Sequence, residues 1–163
     1  MNDLEFINDY LDRYKKSLLE TDVFQELVKF KKMLLKVKND GKKIIIAGNG
    51  GSAAIASHVA VDFTKQGGIR TINFNEPDLI TCFANDYGFE NWVAKAIEFY
   101  GDEGDTVILI SSSGSSKNML KAAQTAKIMG MSVITFTGFS SDNPLKHEGD
   151  LNFWLDSTAY NIV

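Results

Sequence analysis

Hydrophobic positions along the chain follow two rhythms. Over the first forty residues they recur at three- and four-residue spacing: Leu4, Ile7 and Leu11, then Val23, Phe24, Leu27, Val28, Phe30, Leu34 and Leu35, with charges between them. That period predicts two amphipathic helices, broken near Thr21-Asp22, where either residue offers a cap to the second helix. Asn39-Asp40-Gly41 ends the region. The rhythm then changes to short β-rich segments, Lys43–Ala47, Arg70–Phe74, Thr106–Ile110, Ser132–Thr137 and Leu151–Leu155. Among them lie the helix-like stretches SAAIASHVAVDFTK, GFENWVAKAIEFY and SKNMLKAAQTAKIMG. Strands alternating with helices imply crossover connections and a parallel sheet. The runs IIIA and VILI are apolar throughout, as strands covered on both faces should be. The pattern predicts an α/β protein, a doubly wound three-layer sandwich with a five-stranded parallel sheet. Residues 1–40 form an N-terminal helical extension and residues 41–163 the α/β core of a single domain. No repeat, linker or low-complexity tract interrupts it.

Composition narrows the setting. A chain of 163 residues with 44% apolar content and two prolines is large enough to bury one real core. The net charge of −4, with no block of like charge, argues against a nucleic-acid partner, which needs a concentrated basic surface. A small anion needs only a local positive site. The single cysteine, Cys82, cannot form an internal disulfide, and the start MNDLEFINDY is too charged for a signal sequence. No apolar run approaches the roughly 20 residues of a membrane span. A cytoplasmic protein without a membrane partner is expected.

In a doubly wound sheet, ligands bind beyond the carboxyl ends of the strands. Two strand-to-helix loops there carry chemistry. GNGGS, from Gly48 to Ser52, lets backbone N–H groups approach a ligand closely, and Asn49 and Ser52 add side-chain hydrogen bonds. SSSGSSKN, from Ser111 to Asn118, offers hydroxyls, free amides and a helix dipole, a cradle suited to a phosphate monoester. No Walker lysine pattern is present. Each motif has a plainer reading. Gly48 to Ala53 also matches G-x-G-x-x-A, a dinucleotide turn with Glu76 as ribose ligand, although Glu76 lies beyond the roughly 20 residues expected. The serines alone also suit a capped turn. His58 and Asp62, four positions apart on the helix that the glycine turn opens, also suit a helix-surface pair.

GNGGSAAIASHVAVDF, ANDYGFE, SSSGSSKNMLKAAQTAKIMGMSVITFTG and the helical N-terminus together resemble the sugar isomerase (SIS) domain proteins, and within them the phosphoheptose isomerases. The likeness spans nearly the whole chain and implies a SIS, flavodoxin-like fold. It implies interconversion of sedoheptulose 7-phosphate and D-glycero-D-manno-heptose 7-phosphate, serving bacterial heptose synthesis for lipopolysaccharide or capsule. It also implies that Asn49, Gly50 and Gly51 touch the substrate, that Asn85 and Asp86 bind its hydroxyls, and that Ser111, Ser112, Ser113 and Ser116 hold the phosphate. Asp62 takes the place of the family's proton-transferring glutamate. With His58 it matches a pair that in some members ligates zinc, one ion per subunit. No nucleotide cofactor is implied, and the resembling proteins are homotetramers with sites shared between subunits. The chemistry agrees, since aldose–ketose isomerisation moves a proton between C1 and C2 through an enediol and needs a nearby carboxylate.

Two departures qualify the resemblance. Asp62 is one methylene shorter than the family's glutamate, which draws the carboxylate back from the reacting carbon. The family's later glutamine and acid/base histidine would fall beyond Val163, where DSTAYNIV is expected to open a last helix, and His147 is a poor substitute. The chain as it stands is therefore expected to turn over weakly or not at all and to hold zinc poorly, His58 and Asp62 being only two ligands. The rival reading is a non-catalytic SIS domain that binds a sugar phosphate.

Overall fold

The sheet forms where the chain is most uniformly apolar. The computed structural model describes residues 2–20 and 22–163. Along them run α1 (Asp3–Leu19), α2 (Phe24–Asn39), β1 (Ile44–Gly48), α3 (Gly51–Lys65), β2 (Thr71–Ile72), α4 (Pro77–Tyr87), α5 (Trp92–Tyr100), β3 (Thr106–Ser111), α6 (Lys117–Ile128), β4 (Ser132–Thr137), α7 (Pro144–Glu148) and β5 (Leu151–Trp154). All pairings are parallel, in the order β2-β1-β3-β4-β5. Gly48 lies opposite Ile110, and Ser111 opposite Thr137, so the carboxyl ends of β1, β3 and β4 finish nearly level.

Alternate side chains leave each strand on opposite faces, and each face meets its own helices. Ile45, Ala47, Val107, Leu109 and Val133 pack against α5 and α6 through Trp92, Val93, Ala96, Ile97, Met119, Ala122 and Ala126. Ile44, Ile46, Ile108, Ile134 and Leu151 pack against α2 and α3 through Val37, Ala56 and Ala60. Phe30 of α2 meets Phe136 and Phe153 edge-on, at centroid separations of 5.9 and 5.6 Å. The three-layer α/β sandwich and its five-stranded parallel sheet are as the sequence pattern implies. The segment expected to be an extension divides: α2 is a layer of the core, and α1 lies outside with most of its residues exposed.

Several local expectations need correction. The cap of α2 is not Asp22: the N-cap is Val23, which makes no side-chain cap bond, and Thr21, the other expected cap, lies outside the described residues. The second strand shrinks to Thr71–Ile72, because a sheet edge has a neighbour on one side only. The helix expected from Gly88 begins at Trp92, since Gly88 ends α4 at φ 86°. Pro77 and Pro144 open the helices α4 and α7, which the apolar pattern does not reveal. DSTAYNIV does not form a helix here; it makes one turn, with the amides of Ile162 and Val163 donating to the Ala159 carbonyl.

The amino end of the sheet is closed by charge. Asp105 is fully buried and accepts from the backbone amides of Lys43 and Asp102, at 2.9 and 2.8 Å, and from the Lys43 ammonium. Burial pulls the Lys43 pKa down, but the hydrogen bonds and charges of Asp102 and Asp105 outweigh it and the net shift is upward. A raised folded pKa gives a contribution that is whole below the unfolded value near 10.5 and fades as pH rises through the folded one. The Asp105→Ala variant should lose about 2–3 kcal/mol of stability, because it leaves two backbone amides without their acceptor and the Lys43 ammonium with exposed Asp102 as its remaining carboxylate. Urea denaturation at pH 7 measures it, and the wild type's own stability should begin to fall only above about pH 10 as this pair discharges.

Candidate active site

The strand order creates one crevice. From β1 the chain crosses outward to β2, whereas from β3 it crosses the other way to β4, so the loops leaving β1 and β3 part and open a cleft between them. The glycine turn and the serine loop are these two loops. A Cβ on Gly48 would stand 2.7 Å from the Ser52 backbone, so only glycine lets α3 start this close to the strand. Gly50 caps that helix at φ 55°, and open space surrounds the Cβ positions of Gly50 and Gly51. Their backbone is accessible to a ligand.

The serine loop is clamped from behind. Gly114, at φ 62°, lies so close to buried Asn143 that a Cβ would come within 1.9 Å of its Oδ1. Asn143 donates to Thr137 Oγ1 and the Ser140 carbonyl and accepts from the Lys146 amide. Two backbone bonds add to the clamp, from the Leu145 amide to the Gly114 carbonyl and from the Gly138 amide to the Ser112 carbonyl. Held this way, Ser111 and Ser116 bring their hydroxyls to 3.2 Å of each other. Ser116 is the N-cap of α6 and makes no side-chain cap bond, which leaves the positive end of that helix facing the cleft.

Across the cleft the two loops are tied together. Asn49 and Asn118 exchange both amide hydrogen bonds, at 3.0 and 2.8 Å, and Asn118 is buried. Asn118 is a member of the site that the sequence reading did not single out. Its signal was a carboxamide in the first turn of a helix whose neighbours Met119, Ala122 and Ala123 are core. The resulting cleft, about 120 Å³, is lined by Asn49, Ser52, Ser111, Ser112, Ser113 and Ser116, with Phe139 and Tyr160 beside them. Six of the expected binding residues thus meet at one place. None of the described residues lining it is Lys, Arg or His. A larger neighbouring hollow of about 330 Å³, walled by Phe136, Phe153 and Trp154, is apolar and offers few donors.

Other candidates stand apart from the cleft. His58 and Asp62 share the outer face of α3, with Nε2 to Oδ2 at 3.6 Å and side chains 80% and 54% exposed. Asn85 and Asp86 end α4; Asn85 donates to Asp86 at 2.9 Å, Cys82 Sγ lies 3.8 Å from the other Asp86 oxygen, and neither side chain bonds to the cleft. His147 is paired with Asp142 at 2.6 Å, away from the serines. Glu76 is the N-cap of α4 and bonds to no residue of the glycine turn. The order β2-β1-β3-β4-β5 also differs from the 3-2-1-4-5-6 order of dinucleotide folds, so the ribose role falls away. For zinc, His58 and Asp62 remain a set of two. No three His, Cys, Asp or Glu gather elsewhere among the described residues, so the donors present do not fit a zinc site.

The Asn49–Asn118 tie gives the first test of this geometry. The Asn118→Ala variant should lose about 1–3 kcal/mol of stability, because the Asn49 amide keeps no partner in a half-buried position. Guanidinium denaturation reads it, and an unchanged midpoint would show that the two loops stand independently.

Residues 6–138 match the family model described as SIS domain. A phosphoheptose isomerase of Fusobacterium nucleatum is 36% identical over 143 residues, covering 85% of this chain and 74% of that protein. One from Thermodesulfovibrio yellowstonii is 42% identical over 111 residues, covering 64% of this chain and 55% of its own length. Among solved structures, a phosphoheptose isomerase from Francisella tularensis superimposes with a TM-score of 0.90 at 28% identity, over 99% of this chain and 90% of that one. The order of the loops, the strand order and these matches agree: the chain belongs to the SIS domain family, with phosphoheptose isomerases among its relatives.

Proposed function

We propose that the chain is an aldose–ketose isomerase acting on a sugar phosphate, interconverting sedoheptulose 7-phosphate and D-glycero-D-manno-heptose 7-phosphate. The single observation that carries this is the cluster of serines at the open end of α6, set at the crevice of the sheet in a chain whose relatives are named phosphoheptose isomerases. The serine hydroxyls of Ser111, Ser112, Ser113 and Ser116 and the helix terminus receive the phosphate. Asn49 and the bare backbone of Gly50 and Gly51 then meet the sugar oxygens nearest the loop. Asp62, which lies outside the lining of its own subunit's cleft, takes the proton from one carbon and returns it to the next in the site that neighbouring subunits share, and His58, one turn before it, orients the carboxylate.

The reading includes a homo-oligomer, a tetramer as in the resembling family. His58, Asp62, Asn85 and Asp86 all lie on exposed faces, so a neighbouring subunit docked there would enclose chemistry that one subunit leaves in water. The apolar faces support it: Phe6, Ile7 and Leu11 of α1, Leu27, Val28 and Leu35 of α2, and Ile55 and Val61 beside His58 are all about half exposed. Surfaces of this kind are usually interfaces. A place in heptose supply for lipopolysaccharide or capsule is part of the same proposal, as is activity in the soluble phase. No described helix is long and apolar enough to cross a membrane.

Turnover of sedoheptulose 7-phosphate is the direct test. Asp62→Asn should lower kcat by about 10²–10⁴-fold with little change in ligand affinity, and wild-type turnover in that variant would move the base elsewhere. Any turnover in the unaltered chain, however weak, would exclude the non-catalytic reading. Calorimetry on Ser113→Ala and Ser116→Ala should show sedoheptulose 7-phosphate bound about tenfold more weakly in each, the value of roughly one hydrogen bond to a charged group. Light scattering at micromolar concentration should report an oligomer; a monomer would contradict the shared-site arrangement.

A further inference from the structure

Phe139 is the one non-glycine residue, among those described, whose backbone lies in the left-handed region, at φ 53°. Glycine or asparagine would adopt that conformation at little cost, whereas an aromatic side chain does so against its own preference. The surroundings impose it. The Gly138 amide is bonded to the Ser112 carbonyl and the Phe139 amide to the Ser157 carbonyl, both at 3.0 Å. A few residues on, Asn143 holds the Ser140 carbonyl at 2.9 Å. The result is that Phe139 lines the serine cleft.

The cleft gives that ring a task. Its described lining has five serines and Asn49 but no cationic side chain, so a phosphate dianion would meet only neutral donors and the end of α6. Such donors hold a charge well where water is kept from competing for it. Strained backbone conformations persist where the surrounding fold over-determines them and concentrate at ligand clamps. We propose that Phe139 is a wall of the phosphate subsite, its left-handed backbone retained because the ring shields the serine-to-phosphate hydrogen bonds from water. The inference rests on the sugar-phosphate reading of the cleft and adds a binding residue to it.

The test separates a ligand role from ordinary packing. Phe139→Asn relieves the backbone and removes the ring, so its Tm should equal or exceed that of the parent by about 2–4 °C. Its Kd for sedoheptulose 7-phosphate, by calorimetry, should be about tenfold weaker. Phe139→Gly should behave alike, and Phe139→Tyr, which keeps the ring, should bind within about twofold of the parent. Unchanged affinity in both Asn and Gly variants would overturn the proposal while leaving the sugar-phosphate site in place. A Tm that falls in step with affinity would also overturn it, by making the ring a packing residue. Failure of the unaltered protein to bind the sugar phosphate would remove the site reading itself, and this inference with it.

Discussion

Two-sided burial is the constraint from which the site follows. With helices on both faces of β1, β3 and β4, the middles of these strands are shut off from solvent, and the strand edges are occupied by neighbouring strands. Only the strand ends remain for chemistry. Because the chain must cover both faces, its crossovers diverge between β1 and β3, and a cleft opens there without any residue being recruited to make it. Glycines in one loop and serines in the other then supply what a doubly covered sheet cannot.

The two ends of this sheet handle charge in opposite ways. At the amino end, Asp105 is buried, and its charge is answered by a lysine and two backbone amides, all of them internal partners. Nearby Asp102 is held below the ordinary carboxylate range by its bond to Lys43. The carboxyl end has donors in place and no charge of its own in the cleft lining. One end is electrostatically complete and the other is prepared for an anion from outside. A phosphate arriving there finds hydroxyls already held by the surrounding loops, so little ordering remains to oppose binding.

The legible parts of the molecule are those written in local pattern. IIIA and VILI declare covered strands because burial on both faces suppresses alternation, and the glycine and serine loops declare themselves because few other roles need such residues after a strand. What escaped depends on contacts between distant segments. Asn118 looks like any helix-start asparagine until Asn49 is seen opposite it. The helix α2 reads as an extension until Phe30 is found against Phe136 and Phe153. The short helix α7 holds too few residues for a period to show, and only Asn143-Pro144 hints at its start. Spacing put His58 and Asp62 on one face of α3, correctly, but could not say that both side chains are exposed and stand outside the lining of the serine cleft.

The contact of Gly114 with Asn143 also bears on how this chain can drift. Any side chain at position 114 collides with the carboxamide at 143, and a smaller residue at 143 releases Thr137, Ser140 and the start of α7 at once. Neither position can change by itself without harm, and because Gly114 lies at φ 62° a smaller residue at 143 would not open position 114 to a side chain, so both should stay fixed. The serine loop is thereby insulated from gradual mutation by a residue that never touches the ligand.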